Sequence, residues 1–493
     1  MENNLLVVLP ILLPIVAGVL AAGFLKLEDR TIRQIYVAFT VIFNVLLLFF
    51  VLRMGNSSFE VIKINDILSI SLKVDDMSRL FTVLASFLWI CATFYSFEYM
   101  KHEGREKQFF VFLLITLGIT IALGFSANLF TFYLFYEAMT LTTYPLVIHS
   151  MSKEAKAAGI KYLIYSFIGA ALVLIGIFFV ATYGHSLVFV EGGITGFKGI
   201  AAENKNVLLV AYVLMFIGFG GKAGMFPLHA WLPIAHPVAP APASGLLSGI
   251  ITKAGVLGII RTTYFIFGAD FIFGTAAHTV LLIVVLFTIF MGSMLAFKEK
   301  HLKRRLAYSS VSQVSYVLFG LILLNRDAFT GALLHMVIHA LIKNILFLSV
   351  GAIIYKTDKT YSDEIKGIGK SMPVTMWCFT LASLALIGIP PASGFVSKWY
   401  LAMGGLNFPN YALGFFGVVI LLVSALLTAG YLVPVFANAF FPGADFDYRS
   451  VKKLDPNAFM LVPLVVLTAL AVGLGVFPNQ LISFIMNITT SIQ

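Results

Sequence analysis

Five residues that carry charge sit inside stretches otherwise almost wholly apolar: Glu137, Lys222, Lys253, Lys343 and Lys398. If those stretches cross a bilayer, each charge costs about 2.5–3.5 kcal/mol on insertion scales, and five cost on the order of 10 kcal/mol. That is a large fraction of the net stability of a folded chain. Such groups are retained where they face the bundle interior, pair with one another or meet water. One carboxylate cannot neutralise four amines, so some amines must share protons with histidine, water or each other. An amine withdrawn from water gives up its proton more readily, which is the chemistry of a proton relay. A structural pair or a snorkelling side chain stays open for any one of them, although Lys222, Lys253 and Lys343 lie well away from the ends of their stretches.

His335, His339 and Lys343 fall at i, i+4 and i+8 in Leu-Leu-His-Met-Val-Ile-His-Ala-Leu-Ile-Lys. In a helix they share roughly one face, one turn apart. Imidazole titrates near neutrality and both ring nitrogens can take part in transfer. Two histidines at i, i+4 are also a metal-binding spacing, but no third ligand is near in sequence, so no metal is assigned and a relay face is preferred over buried polar packing.

Two segments combine a lysine with Gly and Pro. One runs from Gly218 through Lys222 and Pro227 to Pro233; the other runs from Ile387 through Pro390 and Pro391 to Lys398. Proline removes a backbone donor and clashes with the preceding turn, so both helices should break or kink. Carbonyls freed inside a membrane need protein or water partners. Discontinuous helices in corresponding halves are a pointer to ion sites in transporters built from inverted repeats.

The elements that position these residues follow from composition. Of the 493 residues 60% are hydrophobic and 11% are charged, against about 25% charged in a soluble domain. Apolar runs of about 20 residues recur throughout, each long enough for a hydrocarbon core of about 30 Å. They are continuous and do not alternate, which selects helices over a barrel. Fourteen spans are expected, at about 4–25, 33–53, 78–99, 108–125, 128–149, 161–183, 207–232, 243–267, 277–297, 305–325, 328–355, 373–404, 411–440 and 457–480. Phe59 to Val74 alternates and reads as a small hairpin, with strands at Ile62-Lys63-Ile64 and Ile70-Ser71-Leu72. The first run lacks a basic leader and a small-residue cleavage site, so it is taken as a span.

With the N-terminus outside, the cytoplasmic loops hold 21 Lys and Arg, among them Lys26, Lys303, Arg305 and Arg449. The outer loops and span ends hold eight, including Arg53, Arg79, Lys198 and Arg261. This asymmetry places both termini outside. It also explains the formal net charge of +10 without nucleic acid. Cys91 and Cys378 both lie in apolar runs, without the spacing of a disulfide framework, cluster or zinc site. No nucleotide-binding loop is present. The chain has no redox centre of its own, so no enzymatic activity is assigned to it alone.

Five ordered segments carry a resemblance: Phe135-Tyr136-Glu137, Lys222 to Pro233, Leu246 to Lys253, His335 to Lys343, and Gly388 to Lys398. The chain resembles the antiporter-like membrane subunits of complex I, Mrp-type cation/proton antiporters and group 4 membrane-bound hydrogenases. The resemblance implies an all-α membrane protein of about fourteen transmembrane helices, with two inverted five-helix repeats and broken helices seven and twelve. It divides the chain into N-terminal helices and a hairpin at 1–107, repeats at 108–267 and 277–440, and a C-terminal helix within 441–493. It further implies that Glu137 pairs with Lys222, that Lys253 connects the halves, that the His335–Lys343 face continues a hydrated line, and that Lys398 ends it. Lysine at 398, where one complex I type has glutamate, and Ala235-His-Pro-Val-Ala-Pro lean towards hydrogenase-type and Mrp D-type members.

The expected function is proton translocation within a multi-subunit complex of the cell membrane. Its partners would be other membrane subunits and peripheral redox subunits. The cofactors would be iron–sulfur clusters in those partners, with nickel–iron if the complex is a hydrogenase. The alternatives are a Na⁺/H⁺ exchange module of an Mrp-type complex, although a single intramembrane carboxylate is a poor oxygen-ligand set for sodium, and a proton-pumping subunit of complex I. A carrier of organic solutes would need a roomy pocket with orienting groups, and a vestigial scaffold would not need the full lysine set.

Overall fold

The computed structural model of the chain describes residues 4–25, 27–194, 202–443, 446 and 452–492. Lys26, Lys198 and Arg449 lie outside the described residues. Seventeen helices and one hairpin matter here. In chain order they are α1 (Leu9–Val19), α2 (Arg30–Arg53), β1 (Ser58–Lys63), β2 (Ser69–Lys73), α3 (Asp76–Glu103), α4 (Glu106–Gly124), α5 (Leu129–Val147) and α6 (Lys153–Gly184). Then come α7 (Ala202–Ala223), α8 (Trp231–Val238), α9 (Ala241–Phe267), α10 (Ala276–Lys298), α11 (Leu302–Ile322) and α12 (Arg326–Thr357). The last five are α13 (Pro373–Ile387), α14 (Ser393–Leu406), α15 (Tyr411–Phe440), α16 (Ala458–Val476) and α17 (Asn479–Ile492).

Among the described residues, 11 helices are long and apolar enough to cross a membrane. The protein is therefore a multi-pass, all-α membrane protein. Three expected spans are absent from that set, and each has a physical reason. The fifth, α5, carries Glu137, Pro145 and four threonines. The tenth, α11, carries Ser309, Ser310, Ser312, Gln313 and Ser315, all buried. The twelfth is split into α13 and α14 at Gly388–Ala392.

The centre of the bundle is set by the helices that are buried all round. The most apolar stretch of α9 is 100% buried and that of α12 is 94% buried, whereas those of α2, α15 and α16 are 33% buried. Helix starts are capped by short polar residues. Asp75 accepts from Ser78 N at 2.8 Å, Asn128 from Thr131 N at 2.7 Å and Asn325 from Ala328 N at 3.0 Å. Each cap satisfies a backbone donor that the first turn leaves free. The hairpin pairs β1 antiparallel to β2 with an irregularity between Glu60 and Ile62; Ile64 lies just past its first strand. Cys91 and Cys378 are buried and unbonded.

A buried ion pair joins the hairpin end of the bundle to its centre. Arg261, placed by sequence at a span end, is 1% exposed. Its two terminal nitrogens donate to Asp75 Oδ2 at 2.7 Å and Oδ1 at 2.8 Å. Burial by itself would raise the Asp75 carboxyl, but the Arg261 charge and hydrogen bonds from Arg261 and Ser78 outweigh it and hold the group at about 2. A carboxyl depressed in this way adds stability above its unfolded value and loses it as pH falls through about 2. The pair thus stays ionised at neutral pH.

Candidate proton-translocation site

Both lysine-bearing breaks have the same local logic. Helix α7 stops at Ala223, followed by Gly224 at φ 91°, and α13 stops at Ile387, followed by Gly388 at φ 91°. A residue with a Cβ is strained at that φ, so glycine is the natural helix stop. Pro227 and the Pro390-Pro391 pair occupy the two gaps between helix halves. The carbonyls left free at each stop find partners. Met225 N donates to Gly220 O at 2.7 Å and Trp231 Nε1 to Gly221 O at 2.8 Å. At the second break the partner is the lysine: Lys398 Nζ donates to Leu386 O at 2.6 Å and Ile387 O at 2.8 Å. The amine thus sits at the negative end of the α13 dipole.

Lys253 is placed by another irregularity. Within α9, residues Leu247–Ile251 form a π-helical turn, a feature that frees backbone acceptors and recurs at functional sites. Ser248 O accepts from Thr252 Oγ1 at 2.8 Å and from Lys253 Nζ at 2.6 Å. The same amine lies 2.7 Å from His339 Nδ1 on α12. The His339 ring stacks on that of His335, with centroids 5.9 Å apart. His335 Nδ1 is 2.9 Å from Ser397 Oγ on α14, next in sequence to Lys398. Tyr316 on α11 closes the group, its ring stacked on His335 at 5.4 Å and lying 5.3 Å from Lys398 Nζ. Lys253, His339, His335, Ser397 and Lys398 therefore run as one contiguous series through α9, α12 and α14. His335 and His339 are 1% and 0% exposed, and the Nε2 of each has no hydrogen-bond partner among the described residues.

Lys343 shares the helix but not the series. Its amine turns to α11, donating to Leu306 O and Ser309 Oγ, both at 2.9 Å, and Tyr431 OH donates to the same Ser309 at 2.8 Å.

Lys222 and Glu137 occupy adjoining helices without direct contact. Lys222 Nζ donates to Thr140 Oγ1 at 2.5 Å and to Tyr136 O at 3.2 Å, and lies 4.1 Å from the Tyr136 ring centre. Glu137 Oε1 is buried with no hydrogen-bond partner among the described residues. The amine is solvated by α5 hydroxyl and carbonyl oxygens in place of the carboxylate. No hydrogen bond among the described residues joins this pair to Lys253.

Further buried polar groups carry no signal in the sequence that marks them out. His236 is fully buried, its ring 4.6 Å from that of Phe347, and neither ring nitrogen has a hydrogen-bond partner among the described residues. Lys303, assigned to a cytoplasmic loop, is 4% exposed, with Nζ donating to Ala239 O at 2.9 Å. Arg305, assigned to the same loop, is also buried, its guanidinium donating to Glu299 O and Tyr431 O. The one usable signal is position: both basic residues stand in the first turn of α11, a helix buried along almost its whole length. Gln313 on α11 is also buried, with neither amide atom bonded among the described residues. Buried polar atoms without protein partners are where ordered water is held.

Residues 126–427, more than half of the chain, match the family described as NADH:quinone oxidoreductase/Mrp antiporter, TM. The chain belongs to this family. Residues 62–110 match the N-terminus of chain 5 of NADH-ubiquinone oxidoreductase (complex I). The N-type subunit of the NADH-quinone oxidoreductase of Desulforudis audaxviator is 34% identical over 84% of the chain and 83% of its own length. The D-type subunit of the Na(+)/H(+) antiporter of Alkalihalophilus pseudofirmus is 28% identical over 99% of the chain and 97% of its own length. Hydrogenase-4 component B of Escherichia coli is 30% identical over 85% of the chain, which spans 64% of that relative. The fold is shared with a chain of the archaeal membrane-bound sulfane sulfur reductase at TM-score 0.86 and 21% identity, covering 99% of this chain and 97% of that one. It is also shared with a chain of the Mrp complex of Dietzia sp. at TM-score 0.83 and 20% identity, covering 99% and 98%. The protein is an antiporter-like membrane subunit of this family, and proton translocation is consistent with its relatives.

Proposed function

We propose that this subunit conducts protons along Glu137, Lys222, Lys253, His339, His335 and Lys398, with Lys343 as a side branch, inside a larger membrane complex that supplies the energy. The observation that carries the reading is the Lys253–His339–His335–Ser397–Lys398 series. Each neighbouring pair is within hydrogen-bond distance, stacked or adjacent in the chain. Imidazole can accept on one nitrogen and release from the other; a water held between the two unpartnered Nε2 atoms would carry the proton from ring to ring and so link an amine on α9 to an amine on α14. Glu137 acts by field, holding or releasing the charge of Lys222 as its own protonation changes. The reading has fourteen crossings, both termini outside, and two inverted repeats at 108–267 and 277–440. Lys398 is then the outward end of the path. Peripheral redox subunits with iron–sulfur clusters, and nickel–iron in a hydrogenase, are the proposed source of energy.

The test uses the native complex. Glu137→Gln and Lys222→Ala are expected to slow proton movement about a hundredfold, the lower range for loss of a positioned acid or base, with assembly nearly intact. Correctly assembled complexes that still move protons at the normal rate with either change would sink the assignment. Mass spectrometry of the co-purifying subunits separates the drivers: hydrogenase-like and iron–sulfur subunits indicate redox drive. Small membrane partners alone favour the second reading, an exchange module for Na⁺ and H⁺. That reading is favoured by the near-complete alignment with the Alkalihalophilus antiporter protein, and sodium dependence of transport would decide it.

His236, fully buried with neither ring nitrogen bonded among the described residues, is proposed as a further station of the path. His236→Phe keeps the stack on Phe347 and removes both ring nitrogens. Transport in vesicles is expected to fall by about tenfold or more, with an unchanged thermal midpoint; a normal rate would make His236 a packing residue.

A further inference from the structure

An apolar groove of about 540 Å³ opens at the hairpin end of the bundle, between α2, α3, α12, α16 and α17. Its walls include Phe49, Val83, Phe87, Val337, Leu341 and Leu474. Only two charged side chains line it, Arg53 at the last turn of α2 and Arg79 at the first turn of α3, so both sit at one rim. Arg79 is ion-paired with Asp76. Arg53 lies 4.4 Å over the Phe49 ring and has no carboxylate partner among the described residues. The rim therefore carries net positive charge above an apolar slot.

The depth of the slot is informative. Along α3 it runs from Arg79 to Phe87, a rise of about 12 Å at 1.5 Å per residue. One leaflet of the hydrocarbon core is about 15 Å deep, half of about 30 Å. A cationic rim over an apolar slot one leaflet deep matches a phosphodiester headgroup with its acyl chains. The volume also falls within the range of small-molecule sites, about 300–1,000 Å³.

We propose that this groove binds an anionic phospholipid, with its phosphate on Arg53 and Arg79 and its chains against α3, α12 and α16. The chains would press on Val337 and Leu341, which flank His339 on α12. Lipid occupancy would then support the helix that carries the two histidines.

The test is photo-labelling of the intact complex in lipid nanodiscs, using phosphatidylglycerol or phosphatidylcholine bearing a diazirine in one chain. Phosphatidylglycerol is expected to label peptides of 80–87 and 470–484 in preference to phosphatidylcholine. Arg53→Gln with Arg79→Gln is expected to reduce that label about tenfold, since each basic residue near a membrane surface contributes severalfold to anionic lipid binding. Val83→Trp, which fills the slot and leaves the arginines, is expected to remove the label as well. Equal labelling by both lipids, or labelling indifferent to the arginine changes, would reduce the groove to ordinary lipid contact and overturn the proposal. No labelling of the groove by either lipid, with a neighbouring subunit cross-linked there, would overturn it in favour of a protein interface.

Discussion

Lys253→Met is expected to abolish proton translocation at a modest cost in stability, about 1–3 kcal/mol. Lys253 is 0% exposed, and its amine is held by Ser248 O and His339 Nδ1. Methionine fills a similar unbranched volume without a charge, and the stability cost is the His339 Nδ1 left buried without its partner. The backbone acceptor at Ser248 keeps its bond from Thr252. What is lost is the polar side chain that links α9 to the histidine pair, so transport should fall about a hundredfold or more. Proton uptake by vesicles, read beside the thermal midpoint of the purified complex, checks both halves. A loss of assembled complex from the membrane would make Lys253 structural; an unchanged rate would break the proposed series at its centre.

Asp75→Asn is expected to destabilise the subunit by about 3–5 kcal/mol, because it leaves the Arg261 guanidinium buried without a counter-charge. Asparagine caps a helix as well as aspartate does, so the start of α3 is preserved and the effect isolates the ion pair. The expected observation is a sharp loss of assembled complex in membranes and a lower thermal midpoint. Adding Arg261→Met to Asp75→Asn removes the orphaned charge and should restore much of both. If the double variant is no better than the single one, the pair does not act through its charge. The consequence reaches the site through α9, because Arg261 begins the π-helical turn Arg261–Phe267 on the helix that also carries Lys253.

The buried charges can be found without a structure because the bilayer penalises them individually. Lys222, Lys253, Lys343, Lys398 and Glu137 stand out against apolar neighbours whatever the helices pack against. The two breaks are equally legible, since Gly224 with Pro227 and Gly388 with Pro390 and Pro391 act on the local backbone. Most helix positions follow from the same local hydrophobic signal. That signal also explains the misreadings. Loop assignment by charge places Lys303, Arg305 and Arg261 near solvent, yet all three are buried because carbonyls or Asp75 receive them from elsewhere in the bundle.

Pairing is what the chain order could not decide. Lys343 lies on the helix face of His335 and His339, but its amine turns to Leu306 and Ser309. Lys253, 86 positions from His339, is the residue that reaches the imidazole. Lys222 is met by Thr140 and Tyr136 and not by the carboxylate of Glu137. His236 entered only as part of a family resemblance and not as a site residue, because a histidine beside a proline reads as a loop. Composition and local backbone chemistry determine which residues must be buried and where helices must stop, because bilayer insertion and proline sterics act on each segment alone. Which buried group meets which depends on how the helices cross and rotate, and only the packed bundle decides that.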